Sequence, residues 1–144
     1  MANLAAILLR MDFLDAFQEQ VQDLTTSNKA VTVLHGTERS DLSNAVLGVD
    51  FIAGICQRGA VAIPLKEITQ TLGAELPALC NTTLNQFLAA QRTPVRLEYQ
   101  SHGMPARCWL LNVLESWLRV ATPSGVGWLP IQSLKLVRID PVDN

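Results

Sequence analysis

The feature that most constrains this chain is a register between its two halves. Shifted by 66 residues, Phe51-Ile52 falls on Trp117-Leu118, Gly59 on Gly125, Ile63-Pro64-Leu65 on Leu129-Pro130-Ile131, and Ile68 on Leu134, with no gap from Phe51 to Ile68. Only the glycine and the proline are identical, so apolar pattern and turn punctuation carry the match. Upstream the best offset becomes 64. Val31 then meets Val95 and Val49 meets Val113, and the two extra residues fall near Leu114-Glu115. Self-similarity at such a period predicts a duplicated unit. A unit this short buries too little apolar surface to be comfortable alone, so two copies are expected to pack together or pair their edges.

Each copy reads as a helix followed by short strands. Leu4, Ile7, Leu8, Met11, Leu14, Phe17, Val21 and Leu24 fall at three- and four-residue spacings and predict a helix over 4–26. The period then changes to that of strands: Val31–Leu34, Val46–Val49, Phe51–Ile55 and Ala60–Ile63. The segment 69–79 is open to a strand, a helical turn or a linker. Thr82-Thr83 before Leu84, Phe87 and Leu88 predicts a short capped helix ending near Gln91. Strands follow at Val95–Tyr99, Cys108–Leu114, Trp117–Thr122, Val126–Leu129 and Leu134–Ile139. Closely spaced strands with glycine punctuation predict small barrels. The expected division is 1–80, a helix with the first β-unit, and 81–144, a short helix with the second, with fusion of the two into one domain as the alternative.

This order resembles the Sm-like fold, and the second unit is most similar to the Hfq family of RNA chaperones. Leu84–Leu88 looks like that family's N-terminal helix and Thr93–Leu97 like its first strand. Glu115–Val120 looks like the turn and third strand, and Leu129–Leu134 like the passage from fourth strand to fifth. The resemblance implies an α+β class of mainly β character: two tandem Sm-like or SH3-like small barrels, each preceded by a helix. It also implies an RNA site, yet the family's Lys-His pair is missing. Pro130-Ile131-Gln132 stands there in the second unit. Pro64-Leu65-Lys66 in the first restores one basic residue without a histidine. The tandem arrangement is also similar to uncharacterised actinobacterial proteins, which brings no activity with it.

Catalytic or metal chemistry has little to build on. His35 and His102, the only histidines, each flank a glycine at a predicted strand end and are candidate equivalents. Cys56, Cys80 and Cys108 are widely spaced, which suits buried free thiols better than a zinc knuckle or disulfides. No phosphate loop or nucleophile elbow occurs, so no cofactor is expected and the chain reads as a non-enzyme. The first ten residues are apolar but lack a basic flank, and Arg10 and Asp12 cut the run short of a membrane span. A cytoplasmic protein with no membrane contact is the resulting expectation.

Contact surfaces are the better lead. Net charge is −2 and only 17% of residues are charged, so a broad electrostatic grip on nucleic acid is not expected. A surface so poor in charge suits a covering partner. Residues 92–144 do carry six basic and four acidic side chains, against five and nine in 1–91, a difference of +2 against −4. Strand alternation puts Trp117 and Arg119 on one face, opposite Leu118 and Val120, and puts Phe51 outward at the matching place. Phe51, Lys66, Arg107, Trp117, Arg119 and Trp128 are therefore the candidate interaction surface. Their expected use is a protein contact; a homodimer, joined through edge strands or the apolar N-terminal helix, is expected first and an unidentified protein partner second. Binding of RNA or single-stranded nucleic acid by stacking is the alternative.

Overall fold

A computed structural model of the chain describes residues 30–57, 59–73, 78–91 and 94–139. The helix expected over 4–26 lies outside the described residues. The first half contains β1 (Val31–His35), β2 (Glu38–Leu47), β3 (Phe51–Cys56), β4 (Gly59–Pro64), a 3-10 turn (Leu65–Glu67) and β5 (Ile68–Leu72). The two-residue strand β6 (Ala78–Leu79) leads to the helix α1 (Leu84–Ala89). The second half contains β7 (Val95–Ser101), β8 (Met104–Leu114), β9 (Trp117–Thr122), β10 (Gly125–Pro130), a 3-10 turn (Ile131–Ser133) and β11 (Leu134–Ile139).

Ten of these strands form one antiparallel sheet in the order β10-β9-β8-β7-β11-β4-β3-β2-β1-β5, and β6 adds to β2 in parallel. This corrects the expected pair of α+β barrels. The described residues are nearly all β, with α1 the one α-helix among them. The reason lies at the middle of the sheet. The outer edge of β4 finds its hydrogen-bonding partner in β11, with Ala62 opposite Val137, Val61 opposite Arg138 and Ala60 opposite Ile139. The halves therefore continue into each other rather than closing separately.

Pairing within the halves follows one register. His35 faces Glu38 as Ser101 faces Met104. Phe51 faces Pro64 as Trp117 faces Pro130. A bulge interrupts β2 on β3 between Ser43 and Val46, and another interrupts β8 on β9 between Leu110 and Asn112. The Leu65 amide donates to the Asp50 carbonyl at 3.0 Å, and the Ile131 amide donates to that of Ser116 at 2.9 Å. Apart from the first bound of each bulge, all these pairs are related by 66 residues, including the β1–β2 and β7–β8 hairpins where the sequence favoured 64. The offset of 64 belongs instead to the closing seam: Leu34 faces Gln70, whereas Glu98 faces Leu136. One last strand has slid two residues relative to the other. A two-residue slide keeps every side chain on its own face, so the hydrophobic pattern tolerates it.

The core has two parts. Val31, Val33, Leu42, Ile52, Val61, Ile63 and Leu136 line the interior of the first half. Leu97, Cys108, Leu118, Val120, Leu129 and Leu134 line that of the second. This second cluster also takes in Phe51, Ala53, Ala60 and Ala62 from the other face of β3 and β4, together with Leu84, Phe87 and Leu88 of α1. All six residues of β4 are buried.

Helix α1 is short enough that its ends decide whether it forms. Thr83 and Gln86 make a reciprocal capping box: the Gln86 amide donates to Thr83 Oγ1 at 3.2 Å, and the Thr83 amide donates to Gln86 Oε1 at 3.0 Å. The Leu84 amide donates to Asp50 Oδ1 at 2.7 Å, fastening the helix to the β2–β3 turn. The Phe87 ring then lies 5.3 Å from that of Phe51. A Cβ on Gly48 would stand 2.7 Å from the Thr82 carbonyl oxygen, so the residue before this turn has no room for a side chain.

Phe87→Ala is expected to cost about 3–5 kcal/mol of stability, read from the denaturant midpoint, because it opens a cavity where α1 packs on Phe51 in the larger cluster. Met104→Ser, at an exposed position of the same sheet, is expected to change it by less than about 0.5 kcal/mol.

Candidate interaction surface

The outward face of the second half has no cover among the described residues. Among the described residues β10 pairs only with β9 and ends the sheet there, as β5 ends it at the other side. Along that end Leu114, Trp117, Val126 and Trp128 are 52%, 50%, 61% and 52% exposed. Their closeness follows from the ladder. Leu114 faces Trp117 across β8 and β9, and Trp117 faces Pro130, two residues from Trp128 on β10. Leu114, Trp117 and Trp128 together wall a shallow apolar hollow. Arg119 lies directly opposite Trp128 and is also exposed. An apolar edge strand without a charged residue is unusual on a free surface, because it invites pairing with another strand.

The sequence-predicted residues fall into three groups. Trp117, Arg119 and Trp128 come together on this end as expected. Phe51 does point away from the interior of its own half, but it is fully buried, because α1 and the core of the second half cover it. It is therefore a residue of the junction and no surface aromatic. Lys66 and Arg107 are exposed but stand elsewhere: Lys66 in the first 3-10 turn and Arg107 on β8 across from Glu98. Leu114 and Val126 were missed. Alternation along β10, which places Val126 on the face of Trp128, was the signal that could have found Val126. Trp109 is a separate exposed aromatic, with the Arg96 guanidinium 6.0 Å from its ring centroid.

A second feature is a cleft of about 680 Å³ where the halves meet, whose mixed lining includes His35, Glu38 and Glu67 from one side and Glu98, Arg107 and Lys135 beside Tyr99, Pro105 and Leu136 from the other. Glu98 accepts from Arg138 Nε at 2.9 Å and has Arg107 Nε at 3.5 Å, while Lys135 reaches across the halves to Glu67 at 3.2 Å. His35 Nε2 is hydrogen-bonded with Ser40 Oγ at 2.8 Å. The two histidines are not equivalent in position. His35 ends β1, where the matching residue is Ser101, and His102 sits in the following turn at φ 53°. Only His35 reaches the cleft. Among the described residues no group of three or more His, Cys, Asp or Glu side chains is placed to hold a metal ion. The Cys108 thiol is pushed up to about 11 by burial, which keeps it un-ionised at neutral pH. Among the described residues no helix is long and apolar enough to cross a membrane.

No protein-family model, no curated protein and no solved structure matches this chain.

Burial holds His35 below the ordinary imidazole value of 6.5, outweighing the pull of Glu38. Below that pH the unfolded chain takes up a proton that the folded chain resists. Stability is therefore expected to be steady above about pH 6.5 and to fall as pH drops below it. His35→Gln is expected to flatten that slope in denaturant titrations between pH 7.5 and 5. The Asp41 carboxylate, held low by the Thr32 hydroxyl, acts only near and below its ordinary 3.8, outside this window.

Proposed function

We propose that this is a non-enzymatic cytoplasmic binding or scaffolding protein that joins protein chains through the apolar end of its sheet, forming at least a homodimer with a copy of itself. The observation that carries the reading is the group Leu114, Trp117, Val126 and Trp128, half exposed or more, beside an edge strand that pairs on one side only. Two tryptophans beside an arginine, with a hollow lined by Leu114, Trp117 and Trp128, have the composition of a contact centre. The proposal includes an internal duplication, supported by the shared 66-residue pairing register. It also includes kinship with the Sm-like family, supported by the fifth strand that follows a 3-10 turn in each half.

RNA or single-stranded nucleic acid is the second reading, favoured by Arg119 opposite Trp128 and by Arg96 over Trp109. Both pairs could stack unpaired bases. Titration with oligo-uridine and mixed-sequence RNA at low salt separates the readings. Saturable binding that weakens steeply with salt would favour RNA; a flat titration is expected.

Light scattering of the intact chain is expected to give a mass above that of the monomer. Trp117→Ser combined with Trp128→Ser is expected to lower the association constant at least tenfold without changing the circular dichroism spectrum. A wild-type monomer at high concentration would overturn the scaffold reading.

A further inference from the structure

Strand β10 is the free counterpart of β4, and β5 is the free counterpart of β11. The structure already holds one pairing of these two kinds of edge, at β4 and β11. Carried forward by the 66-residue register, Ala62, Val61 and Ala60 become Trp128, Gly127 and Val126. Val137, Arg138 and Ile139 become Thr71, Leu72 and Gly73. We propose that β10 of one copy pairs antiparallel with β5 of the next, with Trp128 opposite Thr71, Gly127 opposite Leu72 and Val126 opposite Gly73. This rests on the self-association reading above and names the strand that each strand meets.

Side-chain size supports that partner. Within the chain, small residues on β4 meet large ones on β11: Ala62 with Val137 and Ala60 with Ile139. At the free edges the sizes are reversed, with large residues on β10 and small ones at β5: Trp128 with Thr71 and Val126 with Gly73. Gly127 against Leu72 also gives one small and one large residue. Apart from Val61 with Arg138 at the centre of the internal seam, each pair thus keeps one large and one small member, as suits close packing between facing positions. Pairing β10 with another β10 in an antiparallel register centred on Gly127 would set Trp128 against Val126 twice, with large residues at both positions. Pairing β5 with β5 about Leu72 would set Thr71 against Gly73 and leave little side chain to pack. Exposed backbone edges at β10 and β5, and Leu72 itself at 42% exposure, would be covered together.

The contact is heterologous, so each copy offers one edge of each kind and the assembly is a ring or a filament rather than a two-fold pair. The smallest product is a dimer joined edge to opposite edge.

Two blocked chains test this. Val126→Glu with Trp128→Glu disables β10, and Thr71→Glu with Leu72→Glu disables β5. All four native side chains are exposed on these edges, and none belongs to the core clusters. Each blocked chain alone is expected to be monomeric by analytical ultracentrifugation, and an equimolar mixture is expected to give a 1:1 complex of twice the monomer mass. A blocked chain that self-associates as well as wild type would overturn the proposal in favour of two-fold pairing. A mixture that stays monomeric, while wild type assembles, would also overturn it and leave the scaffold reading standing. A monomeric wild type would remove both. Should either blocked chain fail to fold, single cysteines decide the matter in a Cys56→Ser, Cys80→Ser background. Thr71→Cys and Trp128→Cys chains are expected to form a disulfide with each other at least tenfold faster than either forms with itself. Equal rates would overturn the register.

Discussion

The pairing of β4 with β11 is the contact on which the rest of the structure depends. It makes one sheet of ten strands out of two runs of five, and it leaves β4 with no solvent on either face. The same contact places the second half's core over Phe51, Ala53, Ala60 and Ala62. Small residues there let the two layers approach closely, and the Phe51–Phe87 ring contact seals the approach. Asp50 binds the start of α1, so the helix that covers the junction is set by a carboxylate from the half it covers.

That dependence explains what the sequence could and could not disclose. Strands β1, β3, β4, β7, β9, β10 and β11 were legible within a residue or two, because alternating or continuous apolar runs and glycine punctuation mark them. The opening of β2 was not: Glu38-Arg39-Ser40-Asp41 is polar and pairs with β1 on a wet surface, so it looks like a loop. Met104–Arg107 of β8 was missed for a similar reason. The Thr83 cap of α1 was legible because capping is local. The union of the halves was not, since nothing in a strand's own pattern says which distant edge completes it.

The candidate site shows the same division. Trp117 and Arg119 share a face by alternation alone, and the structure keeps them there. Phe51 obeys the same alternation yet is buried, because burial depends on a neighbour from the other half. The 64-residue offset is a third case. A period of two cannot separate displacements that differ by two, so composition fits both registers and only the ladders choose between them.

The segment from the end of β5 to the start of α1 ties the halves covalently, and this has a consequence for concentration. Across the junction, β11 is held near β4 by the chain itself, at an effective concentration that no dilution lowers. The contact proposed for the outer edges has no such tether. A second copy that meets β10 arrives by diffusion, so the central seam forms as part of folding while occupancy of the ends varies with how much partner is present. One sheet thereby contains a permanent joint and two conditional ones.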